Sequence, residues 1–222
     1  MTHVLRVSRV RYPVEVLGPG RRLGVWVQGC PLSCHGCMAR DTWDPTSGTE
    51  VAVADLVEVW RRRLADGACG LTVSGGEPLA QPESLGEFLS GVAALRDPAR
   101  QPVADIMVYT GYERDDLSEV QLAALRHADV VVTGRYDAAK PTRLIWRGSS
   151  NQTFWLRTDL GRERFAAFVD AAPEQTPLQV TVEDDGRVWL IGVPRHRDLA
   201  RLERWLRASG MTVEAASWRN WS

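Results

Sequence analysis

Residues 23–38 read LGVWVQGCPLSCHGCM, and this run sets the fold class. Its first part, Leu23 to Gln28, is a short apolar segment of the kind buried on both faces of a parallel sheet. Its second part crowds Cys30, Cys34 and Cys37 into one loop with the spacing C-x3-C-x2-C. A buried strand running straight into a ligand-bearing loop fits the α/β architecture, where ligands gather at strand carboxyl ends.

Working outward, short apolar runs alternate with helical patterns, as crossover connections between parallel strands require. Val53, Leu56, Val57, Trp60 and Leu64 mark one helix face ending near Asp66-Gly67, and Gly70 to Ser74 is the next strand. Leu85, Phe88, Leu89, Val92 and Leu95 predict a second amphipathic helix. Asp105 to Thr110 is a strand, Leu117 to His127 a helix and Asp129 to Thr133 a strand. Residues 134–152 read as loop with a short strand at Leu144 to Trp146, and Arg162 to Ala172 as a helix with Phe165, Phe168 and Val169 inward. After a composition shift at Pro173 to Pro177, Gln179 to Glu183 and Arg187 to Val193 flank Asp184-Asp185-Gly186, a hairpin signal. Leu199, Leu202, Trp205 and Leu206 mark a helix stopped by Gly210, and Met211 to Ala215 a final strand. The expected organisation is a core over 1–172 and an extension over 173–222 made of a β-hairpin, a helix and a strand.

The 222 residues suffice for one core with an appendage. A net charge of -1 argues against nonspecific nucleic-acid or anionic-membrane binding, which rests on summed positive charge. The start, MTHVLRVSRV, alternates apolar and polar residues without an apolar signal core, and no run is long enough to span a membrane. A cytoplasmic protein without nucleic-acid or membrane partners is expected. Three closely spaced cysteines in a reducing compartment favour metal or redox chemistry over disulfides.

Three thiolates on one tight loop can hold three irons of a 4Fe–4S cube, leaving the fourth open to a small molecule. Pro31 and Gly36 suit the turn such a loop must make. A zinc site is the alternative on spacing alone, with His35 adjacent and Cys69 at a strand edge as further ligands. The segment LTVSGGEPL, 71–79, ends a strand with Gly75, Gly76 and Glu77: glycines admit close backbone approach, and a carboxylate can pair with an ammonium. Read alone, the same residues make a plain strand-to-helix turn.

Together these motifs resemble the radical S-adenosylmethionine superfamily, and most closely the activases of glycyl radical enzymes, including those of anaerobic ribonucleotide reductases. Gly18-Pro19-Gly20-Arg21, RDTWDP at 40–45, VYTGYE from Val108, DVVVTGRYD from Asp129 and RGSSNQ from Arg147 extend the resemblance over roughly residues 10 to 156. It implies a partial (β/α)6 TIM-type barrel with the cluster at its open mouth. Cys30, Cys34 and Cys37 would ligate the cluster, S-adenosylmethionine would chelate the fourth iron, and Gly75, Gly76 and Glu77 would hold its amino group. Tyr109, Thr110 and Gly111 would line the cofactor pocket, or else form only a strand end and turn. The implied reaction is reductive cleavage to a 5′-deoxyadenosyl radical that takes hydrogen from a glycyl residue of a partner enzyme, with electrons from a flavodoxin- or ferredoxin-type donor. Gly36 stands where many members carry an aromatic on the adenine, and the extension goes beyond the compact activases.

The rivals are a stand-alone radical enzyme acting on a peptide or metabolite, and a zinc- or cluster-stabilised interaction module without turnover. Most of the nine tryptophans are expected in packing, with Trp218 and Trp221 as terminal contact candidates. Arg61-Arg62-Arg63 reads as a solvated helix end. His3, His127 and His196 show no ligand spacing.

Overall fold

A computed structural model describes residues 3–175, 177–182, 184, 187–195, 198–212 and 216–217. The chain runs β1 (Val4–Val14), β2 (Arg22–Val27), β3 (Thr49–Ala52), α1 (Val53–Ala65), β4 (Gly70–Gly75), α2 (Pro82–Ala94), β5 (Asp105–Tyr109), α3 (Glu119–Ala124), β6 (Val130–Thr133), β7 (Thr153–Leu156) and α4 (Asp159–Phe165). β8 (Leu178–Val182), β9 (Val188–Gly192) and α5 (Asp198–Ala208) follow.

One sheet is ordered β3-β1-β2-β4-β5-β6-β7, and β8 and β9 form a separate antiparallel pair. β2, β4, β5 and β6 are parallel. The α/β class expected with a partial (β/α)6 barrel is present as a central sheet with four parallel strands, and antiparallel strands extend it on both sides: β1 and β3 beyond β2, β7 beyond β6. β3 (TEVA) and β7 (TFWL) are only four residues long, too short to show a period of their own, and they are fixed as strands by pairing with β1 and β6.

Alternation within the parallel strands divides the core. Leu23, Val25, Val27, Leu71, Val73, Ile106 and Val108 point to one face, where α1 and α2 seal them with Leu56, Trp60, Leu85, Phe88 and Leu89. The other face has a smaller core of Met107, Val130, Val132, Trp146 and Phe165. Trp26 and Tyr109 join a third cluster with Val14, Val16, Leu17 and Ile191. α1 and α2 leave this second face open beside the strand ends, and there the cavity lies, with Leu199 and Ala200 at the start of α5 on its lining.

Several local expectations shift. Leu144 to Trp146 is a turn, not a strand: Trp146 takes a φ of +58° and buries its ring against Phe154, Phe165 and Phe168. The helix expected over 117–127 narrows to α3, capped by Ser118 and Gln121, followed by a 3-10 turn. That over 162–172 begins earlier, where Thr158 accepts from Gly161 N at 3.0 Å, and passes into a 3-10 turn after Phe165. The hairpin and its helix lie at β8, β9 and α5. Met211 and Thr212 are not in a strand, while Val213 to Ala215, Asp185, Gly186, His196, Trp218 and Trp221 lie outside the described residues. Arg61, Arg62 and Arg63 are solvated, paired with Glu58 and Asp66. Among the described residues no helix is long and apolar enough to cross a membrane.

Candidate cluster and cofactor site

Parallel register places the motif-bearing loops side by side. Val27 of β2 lies opposite Gly75 of β4, so Gly29-Cys30 and Gly76-Glu77 leave adjacent strands at the same level. Gly76 N donates to Val27 O at 2.9 Å and Glu77 N to Gly29 O at 2.9 Å. The glycines are required there: a Cβ on Gly76 would lie 2.3 Å from Gly29 O, and one on Gly75, whose φ is +109°, 2.5 Å from Val27 N. Thr110 N, just past β5, donates to Val132 O at 2.9 Å, which brings the third strand end level with these two.

The cysteine loop is closed at its neck. Gly29 N donates to Thr42 O at 2.8 Å and Cys30 N to Trp43 O at 3.0 Å, while Gln28 Nε2 donates to Asp41 O and Asp44 O. Thr42 is fully buried and donates its hydroxyl to Ala39 O at 2.6 Å. Between neck and tip the chain turns through left-handed positions at Ser33 (φ 48°) and Gly36 (φ 76°). Burial pushes the Cys30 and Cys37 thiols up. The Leu32 and Ser33 amides oppose this at Cys30; the Ala39 amide and the Trp43 side chain do so at Cys37. Such N–H donors favour the thiolate that iron requires and tune a bound cluster. Cys34 lies within electrostatic range of both other thiols.

The three cysteines line one cavity of about 630 Å³ together with Gly75, Gly76, Glu77, Tyr109, Thr110 and Gly111. The residues expected to ligate the cluster and to line the cofactor pocket are thus brought to the same space, whose size suits a cofactor. Glu77 is 1% exposed. Its carboxylate accepts from Leu79 N at 2.9 Å, Thr110 Oγ1 at 2.8 Å and Gly111 N at 2.7 Å. Burial pushes its pKa up against those donors. Thr110 and Gly111 therefore reach the cavity as partners of Glu77, and Tyr109 donates its hydroxyl to Trp146 O at 3.1 Å.

The donor set fits an iron–sulfur cube. Three cysteines of one loop line the cavity, three soft sulfur donors where a structural zinc site takes four ligands on one ion. A cube instead takes each thiolate on a different iron. Cys69 lies at the other end of β4, its sulfur 3.4 Å from Arg21 O and far along the strand from the cysteine loop.

Some supporting residues were quoted in the sequence without a role. Arg135 donates to Leu32 O, bracing the cysteine loop from beyond β6. Asn151 Nδ2 donates to Arg135 O at 2.8 Å and Gln152 Nε2 to Gly134 O at 2.9 Å, so RGSSNQ holds the GRYD turn in place. Tyr136 packs at Gly36, where a Cβ would lie 3.6 Å from its ring. Trp189 and other residues of the C-terminal hairpin also line the cavity, and no motif signals them.

The family model described as a 4Fe-4S single cluster domain matches residues 16–155. The "Anaerobic ribonucleoside-triphosphate reductase-activating protein" of Enterobacteria phage T4 is 36% identical over 149 residues, covering 67% of this chain and 92% of the relative. The "Pyruvate formate-lyase-activating enzyme" of Listeria monocytogenes is 44% identical over 94 residues, covering 40% of this chain and 38% of that enzyme. Among solved structures, QueE from Escherichia coli aligns with a TM-score of 0.40 and 16% identity over 59% of this chain and 71% of QueE.

Proposed function

The chain belongs to the 4Fe-4S single cluster domain family, among the radical S-adenosylmethionine activating proteins, and from that premise we propose how its residues share the work. It is a glycyl-radical activase of the anaerobic ribonucleotide reductase type. Bound together, the cluster and S-adenosylmethionine supply a one-electron reductive cleavage that generates a hydrogen-abstracting radical. Cys30, Cys34 and Cys37 hold the cluster. Gly75 and Gly76 let backbone approach the cofactor, and Glu77 offers its amino group a buried negative charge. An ammonium beside Glu77 relieves the cost of keeping that carboxylate ionised in a buried place, the cost that raises its pKa.

Thr110 and Gly111 fix the Glu77 carboxylate through their hydrogen bonds, and Tyr109 walls the pocket. We assign the chemistry to residues 1–172 and treat 173–222 as an extension. The hydrogen donor is a glycyl Cα of a large partner enzyme, electrons come from a flavodoxin- or ferredoxin-type protein, and the work is done in the cytoplasm. The convergence of the three thiols and the glycine-glycine-glutamate strand end on one cavity carries this reading.

The test is anaerobic reconstitution with iron and sulfide, followed by dithionite and S-adenosylmethionine. Formation of 5′-deoxyadenosine is expected, and a glycyl radical signal by electron paramagnetic resonance once a glycyl radical reductase is added. A fully loaded protein that makes no 5′-deoxyadenosine defeats the reading.

A further inference from the structure

The extension does not hang free of the core. Gln179 on β8 donates Nε2 to Pro13 O at 2.8 Å and accepts from Glu15 N at 3.2 Å, tying the hairpin to the end of β1. Ile191 on β9 is 6% exposed and packs with Val14, Val16 and Leu17. Trp189 faces Arg9 and Arg11, whose guanidinium carbons lie 5.0 and 4.7 Å from its ring centroid. Arg9 in turn pairs with Asp41, in the segment that closes the cysteine loop, at 2.8 Å. Further on, Ser217 Oγ donates to Met38 O at 2.6 Å and Arg40 N donates to Ser217 O at 3.2 Å.

Trp189 and Ile191 pack on the sheet face that α1 and α2 leave uncovered, and Ser217 reaches the cysteine loop itself. Strand alternation sends Gln179, Thr181, Trp189 and Ile191 toward that face, while Val180, Val182 and Val188 point outward and are exposed. The cavity therefore has the cysteine loop on one side and the Trp189-to-Arg195 stretch on another. This stretch lies beyond residue 155, outside the family match.

We propose that the C-terminal hairpin is the fourth wall of the cluster cavity, pinned by Trp189 across Arg9 and Arg11, and that it governs access of solvent and substrate to the cysteine loop. The role rests on the cavity being the cofactor site. Excluding water there protects a reactive intermediate from being wasted, a need the open sheet face does not meet alone. Trp189 is a positioning residue here: its broad ring spans two arginines at once and holds a two-stranded hairpin that would be marginal by itself.

The test compares the wild-type chain with Trp189→Ala, Trp189→Phe, Gln179→Ala and, as a control on the outward face, Val188→Thr. Two readouts are taken: anaerobic loss of iron from the reconstituted protein to a chelator, and iodoacetamide labelling of Cys30, Cys34 and Cys37 in the cluster-free protein. Trp189→Ala should speed both several-fold, Gln179→Ala should do so less, Trp189→Phe should restore much of the protection and Val188→Thr should match wild type. Wild-type rates in both Trp189→Ala and Gln179→Ala overturn the wall. If Trp189→Ala does not fold, Gln179→Ala decides alone. Should the wild-type protein take up no cluster, the cofactor reading fails instead, and thiol labelling still judges the wall.

Discussion

The two ends of the parallel strands differ in how their polar groups are satisfied. At the amino ends Arg22 and Asp105 are fully buried and saturate one another: Arg22 Nη1 donates to Asp105 Oδ2 at 3.1 Å and Nη2 to Oδ1 at 2.5 Å. Arg22 Nε reaches Thr72 at 2.7 Å, and Arg164 Nε adds a third bond to Asp105 at 2.6 Å. The Gly-Pro-Gly segment serves this end, since a Cβ on Gly18 would lie 2.7 Å from Arg22 Nε and one on Gly20 2.4 Å from the Cys69 sulfur. At the carboxyl ends the thiols and Glu77 surround open volume. A network closed on itself on all sides stabilises; one held by three donors yet lining a cavity, as Glu77 is, can also meet a ligand. The same sheet thus carries a floor built for folding and a mouth built for chemistry.

Substitutions can break this division. At the mouth, Cys34→Ala should abolish both the brown chromophore and 5′-deoxyadenosine while leaving the thermal midpoint of the cluster-free protein within a few degrees of wild type. Retained colour, read by absorbance and iron analysis, would contradict the ligand assignment. At the floor, Arg22→Met should do the opposite. It leaves Asp105 buried with one arginine fewer, costing about 3 kcal/mol by denaturant unfolding. A cost below about 1 kcal/mol would mean that Arg164 alone satisfies the carboxylate.

Where the ends meet the strands, effects should be smaller. Gly76→Ala places a Cβ 2.3 Å from Gly29 O, so it should cost about 1–3 kcal/mol and weaken S-adenosylmethionine binding in equilibrium dialysis. Unchanged affinity would detach the glycine pair from the cofactor. Thr158→Ala removes the cap of α4 and a 2.7 Å bond to Asp129, and should cost about 1 kcal/mol in unfolding without altering iron content. Lost iron there would show the floor and mouth to be coupled.

The smallest effect concerns acid. Asp44, beside the neck of the cysteine loop, is held at about 2 by hydrogen bonds from Ser47 and Thr46. A depressed carboxylate stabilises above its unfolded value of about 3.9, and that support disappears as pH falls from there toward about 2. Protection factors of the 44–47 turn in the cluster-free protein, corrected for the intrinsic exchange rate at each pH, should fall across that window, and Asp44→Asn should remove that dependence.

Much of the core was legible because burial writes a pattern. Leu23 to Val27, Leu71 to Val73 and Ile106 to Val108 are apolar runs that only a two-sided core tolerates, and helix faces such as Leu85, Phe88, Leu89 and Val92 repeat with the helical period. Thr49–Ala52 and Thr153–Leu156 were not, since an edge strand is defined by the neighbour it pairs with more than by its own residues. Trp146 looked like part of a strand, yet its ring is needed in a cluster that only a left-handed turn lets it reach.

By itself the sequence determined the three-thiol loop, the glycine-rich strand end and the α/β core, because ligand spacing and hydrophobic periodicity are local properties of the chain. Only the tertiary structure decided that Glu77 is fixed by Thr110 and Gly111, that Arg135 braces the cysteine loop, and that a hairpin near the far end of the chain faces Arg9 and Arg11. Those contacts join residues far apart in the chain, and they follow from parallel register and the bare second face of the sheet, which no local pattern encodes.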